Sequence, residues 1–278
     1  MGKGNFVAAE KRARLKNRIT EIDLLRGICV FLMVFDHAVF DVWGLMPELF
    51  SGYPSGGFWS WAYDVAVKYW VWNVREWVRF VVVFVFLALT GISCSFSHSN
   101  LKRGLMLMAV ALGVTFATFV LGRITGDGET LISFGILHLI SLTIVVVALI
   151  EKITRNKWVF LAVSAAMITF GAFFLKEEAA YYSDGGFFEQ FFKQFIGLII
   201  VGPDGYSFPF YGGQIFFGVF LGKVLYPERK PLLFKDGYKN NFVTFTGRHS
   251  LIVYVAHQII IPAALALALL ACGYKPAL

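Results

Sequence analysis

Residues 21–41 read EIDLLRGICVFLMVFDHAVFD. Extended to Met46, the run from Ile22 is 25 residues of mostly Leu, Ile, Val, Phe and Met. At 1.5 Å per residue it is long enough to cross a hydrocarbon core of about 30 Å. A helix on the surface of a soluble domain would alternate this apolar face with a broad charged one. Here the ionisable groups are few and collect on one side. The stretch therefore predicts a first membrane-spanning helix, and the rest of the chain has to be read in lipid.

Composition agrees. Of 278 residues, 58% are hydrophobic and only 15% charged, and the mean hydropathy is +0.67. A soluble domain carries about 25% charged residues. Further apolar runs lie at Phe80–Ser97, Gly104–Gly122, Leu131–Ile150, Lys157–Leu175, Phe208–Tyr226 and Ser250–Ala271. The expected fold is thus all-α, a polytopic transmembrane helical bundle with about seven spanning helices. Phe187–Gly202 would make eight, but it is shorter and interrupted by Glu189, Gln190, Lys193 and Gln194. It reads as spanning, interfacial or re-entrant.

Basic residues decide orientation, since cytoplasmic loops are enriched in Lys and Arg. With seven spans, 17 of the 25 basic residues fall on the side of the N-terminus and 7 on the other. An eighth span would move the basic loop 229–239 to the far side. The expectation is a multi-pass protein of the cell membrane, N-terminus cytoplasmic and C-terminus extracytoplasmic. Residues 1–20 form a basic cytoplasmic tail, and 21–275 a single transmembrane domain. The run after the tail is too long for a cleaved signal peptide. Segment 47–79, with Trp59, Trp61, Trp70, Trp72 and Trp77, would lie in the outer interface. Net charge of +7 follows from topology, so no nucleic-acid partner is implied. Cys29, Cys94 and Cys272 lack metal or disulfide spacing, so no metal is expected.

On a 100° wheel, Asp23, Arg26, His37 and Asp41 fall within about 60° of one another, and Asp36 points away. Ionisable groups in a membrane are costly and mark cavities or function. His37 lies about 16 Å beyond Arg26 along the helix. Asp41, one turn further, is placed to orient the imidazole. Asp23 and Arg26 also admit a plainer reading as an i,i+3 pair finishing a helix end. Other polar groups within spans are His138, His257 and Gln258. The turn GISCSFSHSNLKRG (91–104) supplies Ser93, Ser97, Asn100 and Arg103, donors and a cation that suit phosphates or an ordinary cytoplasmic turn.

Four ordered motifs carry a resemblance. E-I-D-x-x-R-G with R-x10-H runs from Glu21 to His37, and G-I-S-x-S-x-S-x-S-N covers Gly91–Asn100. F-G-I-L-H covers Phe134–His138, and G-R-H-S-L-I-V-Y-x-x-H-Q covers Gly247–Gln258. The set resembles the membrane acetyltransferases with the heparan-alpha-glucosaminide N-acetyltransferase catalytic domain. The R-x10-H spacing is similar, more distantly, to the acyltransferase-3 group. The resemblance implies transfer of acetyl from cytoplasmic acetyl-CoA to an amine or hydroxyl of a sugar or glycan at the outer face. It implies His37 as general base or acyl carrier, with Asp41 orienting it. Asp23, Arg26, Ser93, Ser97, Asn100 and Arg103 would serve the donor, and His138, His257 and Gln258 would line the cavity. The family's eukaryotic branch has asparagine where His37 stands, so a bacterial-type envelope glycan is expected rather than heparan. The partners implied are acetyl-CoA, the glycan acceptor and the bilayer, with a homo-oligomer left open. The main alternative is a proton-coupled transporter or flippase using the same polar stripe.

Overall fold

The computed structural model describes residues 18–125, 131–175, 187–199, 204–234 and 238–277. These form α1 (Thr20–Phe40), a π-helical turn (Asp41–Leu45), α2 (Met46–Leu49), α3 (Gly57–Trp70) and α4 (Asn73–Cys94). There follow α5 (Asn100–Thr125), α6 (Ile136–Ile153), α7 (Lys157–Phe174), α8 (Phe187–Ile196), α9 (Phe208–Leu225), α10 (Phe242–Arg248) and α11 (Ser250–Ala271). Two short strands, β1 (Phe50–Ser51) and β2 (Lys275–Pro276), complete the described elements. The protein is all-α, and seven helical stretches are long and apolar enough to cross a membrane. The first runs unbroken from Thr20 to Leu49.

The spans differ from the expected runs mainly at their ends. The second begins at Asn73 rather than Phe80, because a helix can start in polar flanks that a hydropathy window trims. Residues 95–99 leave the helix at its other end, so Ser97 is not helical. The fourth begins at Ile136, five residues later than expected. Within 187–202, helix covers only Phe187–Ile196, about 15 Å of rise and half a membrane. Residues 1–17 of the basic tail and residues 200–202 lie outside the described residues.

The chain divides into two compact units, residues 1–86 with 231–278, and residues 87–230. In the first, α10 lies along the start of α1. A Cβ on Gly27 would overlap the Val243 carbonyl oxygen, and one on Gly247 would overlap that of Asp23. Small residues let two backbones touch, the usual route to helix association in lipid. Lys239 N donates to Thr20 Oγ1 and Leu232 N to Glu21 Oε1. The approach to α11 thus sits beside the start of α1. At the other ends, β1 pairs antiparallel with β2, Phe50 opposite Pro276 and Ser51 opposite Lys275. The first and last spans therefore begin together and end together.

In the second unit α9 packs on α7 and α5 on α6. The ring of Phe195 on α8 stacks on Phe208, centroids 4.8 Å apart. Buried Gln194 donates to the Phe134 carbonyl and accepts from the Ser133 hydroxyl. Asp204 accepts from the Ile136 amide at 3.0 Å, capping α6 from outside the helix. Burial pushes this carboxyl up to about 6, against the opposing pull of that amide.

Candidate active site

His37 Nδ1 and His257 Nε2 are 2.7 Å apart, their rings nearly parallel at 18°. The residues come from α1 and α11, the two helices that the strand pair and the Gly27–Gly247 contact hold parallel. The other nitrogen of His257, Nδ1, lies 3.1 Å from the Val253 carbonyl oxygen. A carbonyl only accepts, so His257 Nδ1 bears the proton and, in a neutral ring, its Nε2 is an acceptor. His37 Nδ1 must then be the donor. That leaves the lone pair of neutral His37 on Nε2, which has no hydrogen-bond partner among the described residues. An imidazole held by one nitrogen with the other bare is the arrangement a general base needs.

Tyr254, one turn before His257, is buried and sets its ring edge-on to both imidazoles. Gln258 points elsewhere on α11, its Nε2 3.4 Å from the Tyr254 hydroxyl oxygen. The nitrogen of His37 that Asp41 is expected to orient, taken as Nδ1, is met here by His257. Asp41 is buried at the start of the π-helical turn, and no hydrogen bond joins it to His37 among the described residues. A wheel drawn on one helix cannot show the competing histidine from α11.

Asp36 does face away from the stripe, but into a built partner. Arg75 Nε and Nη2 donate to its two oxygens at 2.8 and 2.9 Å, and the Tyr69 hydroxyl donates to Oδ1 at 3.0 Å. The Arg75 guanidinium lies 3.5 Å over the Trp70 ring. Nothing in the sequence singles out Arg75 or Tyr69, since both sit in the Trp-rich segment that reads as interfacial.

At the start of α1, buried Asp23 accepts two hydrogen bonds from Arg18 and one from Tyr238. Arg26 Nη1 is 3.7 Å from it. Arg248 reaches Tyr238 and Asn240. This end of the first unit therefore sets two arginines beside one carboxylate, with a third linked to it through Tyr238.

The remaining expected residues belong to the second unit. Ser93 Oγ donates back to the Leu89 carbonyl on its own helix. Asn100 Nδ2 donates to Cys94 O and Glu151 Oε2, while its buried Oδ1 has no partner among the described residues. A cavity of about 510 Å³ opens here, lined among others by His98, Ser99, Asn100, Lys152, Thr154 and Arg155. Ser93, Ser97 and Arg103 do not line it, whereas Lys152 and Arg155, outside the expected set, do. His138 uses both ring nitrogens, Nδ1 accepting from the Gly135 amide and Nε2 3.0 Å from Thr115 Oγ1. Since the Thr115 hydroxyl donates to Ile132 O, His138 is held as a helix-start residue rather than with a bare nitrogen. Among the described residues, no three His, Cys, Asp or Glu side chains cluster as a metal group.

The family model described as heparan-alpha-glucosaminide N-acetyltransferase, catalytic, matches residues 18–259. The match takes in both histidines of the pair. Neither the curated proteins nor the solved structures contain a match.

Proposed function

Because the chain belongs to the heparan-alpha-glucosaminide N-acetyltransferase catalytic family, we propose that it moves an acetyl group from cytoplasmic acetyl-CoA to an extracytoplasmic acceptor. The acceptor is an amine or hydroxyl of a sugar or envelope glycan. The observation that carries the reading is the His37–His257 pair, which leaves a bare Nε2 on the ring of the R-x10-H motif.

The acceptor N–H or O–H gives its proton to His37 Nε2 as its heteroatom attacks the thioester carbonyl. The tetrahedral adduct collapses with cleavage of the C–S bond. The leaving thiolate takes the proton back from His37, so the enzyme ends as it began. During the step the imidazolium of His37 donates through Nδ1 to His257 Nε2, which stabilises the charge as a triad carboxylate would. His257, tied to Val253 O, sets the tautomer. Tyr254 borders this pair.

The phosphates of CoA demand cations and donors. Arg26, backed by Asp23, is our assignment in the first unit. The alternative assignment, in the second, is the His98–Asn100 turn with Lys152 and Arg155. The test is incubation of membranes holding the protein with acetyl-labelled CoA and fractionation of glycans and lipids. Label should pass to a glycan with wild type and not with His37→Ala. Equal labelling by folded His37→Ala would overturn the reading.

A further inference from the structure

Between Val30 and Asp41 no residue of α1 is buried, and Phe31, Leu32 and Phe35 lie exposed. The stretch that carries His37 is thus packed only in part, with the rings of Phe31, Phe35 and Phe40 against Phe242, Tyr69 and Trp70. Two polar contacts hold it, on different faces. One is His37 itself on His257. The other is Asp36 on Arg75 and Tyr69.

The second contact is built for rigidity. The forked guanidinium meets both carboxylate oxygens, a geometry that restricts rotation as well as distance. Arg75 is itself held flat on Trp70, and Trp70 stacks on Trp43 with centroids 4.8 Å apart. Trp43 belongs to the π-helical turn that follows α1. Tyr69, Trp70 and Arg75 flank the tight α3–α4 junction, where Arg75 N donates to Trp72 O. The residue before His37 and the turn after it are therefore fastened to one aromatic corner.

We infer that Asp36 and Arg75 are positioning residues that fix the rotation of α1, and with it the direction of His37 Nε2. This rests on His37 being the base. Neither residue need touch substrate. A lone ion at this depth is costly and a pair much less so, so the pair itself supplies a charge-neutral clamp. An imidazole turned from its line of proton transfer loses rate without losing donor affinity.

Three variants and one spectroscopic signal test it. Arg75→Lys keeps the charge but lacks the fork. Asp36→Asn with Arg75→Gln leaves no lone ion. Each should fold, bind acetyl-CoA with unchanged KM, and turn over about 10-fold more slowly. In protein labelled with ¹⁵N-histidine, the His37 ring should show one fixed Nδ1–H tautomer in wild type and an averaged signal in both variants. His37→Ala, run in parallel, separates the two ideas. If it stays active, the base assignment falls. If it is inactive while Arg75→Lys keeps full turnover and the fixed tautomer, the positioning role is refuted. Arg75→Lys alone decides should the double variant fail to fold.

Discussion

His37 Nδ1 and His257 Nε2 meet at 2.7 Å although 220 residues separate them in the chain. The contact closes a relay from the Val253 carbonyl through His257 to His37, and its polarity is set at the carbonyl end. On the proposed reading the pair would do what an aspartate–histidine couple does elsewhere, without placing a full negative charge in lipid.

Substitutions at the two histidines should separate base from orienter. His37→Ala should lower kcat by roughly 100-fold or more, the usual scale for a positioned acid–base group. His257→Ala keeps the base but releases its tautomer, and a loss of about 10- to 100-fold is expected. His257→Gln presents an amide oxygen that can accept from His37 Nδ1, so it should recover part of that loss. Steady-state kinetics with labelled acetyl-CoA measure all three. A His257→Gln enzyme no better than His257→Ala would count against His37 Nδ1 as the donor to His257.

Membrane sidedness can be checked at the ends of the parallel spans. Ser55 and Tyr274 are joined through the Tyr274 hydroxyl and the Ser55 main chain, so both lie beyond the same membrane face. With exposed Cys272 replaced by Ser and the buried Cys29 and Cys94 retained, cysteines at Ser55 and at Lys230 give the readout. An impermeant maleimide added to intact cells should label the first and spare the second. Labelling at Lys230 alone would invert the orientation expected from the basic residues.

The stripe of Asp23, Arg26 and His37 is legible in the sequence because helical period alone brings them together. The wheel also turns Asp36 away correctly, yet is blind to what it meets, since Arg75 and Tyr69 arrive from a segment whose tryptophans suggest only a lipid interface. His257 reads as a cavity residue, but its bond to His37 depends on two helices running parallel, which no local pattern encodes. Asp41 stands apart for a related reason. The spacing to His37 is one turn, but the nitrogen it would orient is already occupied from α11. The π-helical turn breaks the 100° period and leaves no trace in hydropathy. In the second unit, the motif Gly91–Asn100 draws the eye to its hydroxyls. Gly91 is there for packing, since a Cβ would overlap the Ile215 carbonyl oxygen.

Helix contact at Gly247 should be intolerant of any side chain. A Cβ there meets the Asp23 carbonyl oxygen, a main-chain atom that cannot swing aside. Gly247→Ala should cost about 2 kcal/mol or more, the scale of overpacking. Around Gly113, in α5, the space a Cβ would enter is open, with nothing within 4 Å. Gly113→Ala should be neutral or slightly stabilising through helix propensity. Thermal unfolding in detergent compares them, and equal melting temperatures would contradict the close α1–α10 approach.

Asp204 gives a pH signature. Its folded-state value of about 6 lies above the ordinary 3.8, so folding favours the protonated carboxyl. The stability it contributes is full below about pH 4 and is lost as pH rises through 6, on the order of 3 kcal/mol. Asp204→Asn can still accept from the Ile136 amide but cannot ionise. The variant should therefore melt higher than wild type at pH 7.5 and alike at pH 4. A difference that instead grows toward acid would reverse the assignment.

The donor end offers two sets of cations, and kinetics can weigh them. A residue that holds a phosphate of CoA equally in the ground and transition states raises KM for acetyl-CoA and leaves kcat nearly unchanged. Arg155→Ala and Lys152→Ala alter the lining of the second unit's cavity. Arg103→Ala alters the neighbouring helix without lining it, and Arg26→Gln removes the cation beside Asp23. Loss of one charge-assisted phosphate contact, about 1.5–3 kcal/mol, corresponds to a KM increase of roughly 10- to 150-fold. If the cavity holds the phosphates, Arg155→Ala should show that rise, it should be smaller with dephospho-CoA or pantetheine thioesters, and Arg103→Ala should show little. If Arg26 holds them, Arg26→Gln should show the rise, with its protein level checked because it shares Asp23 with Arg18. A fall in kcat at constant KM in every variant would remove both sets from donor binding.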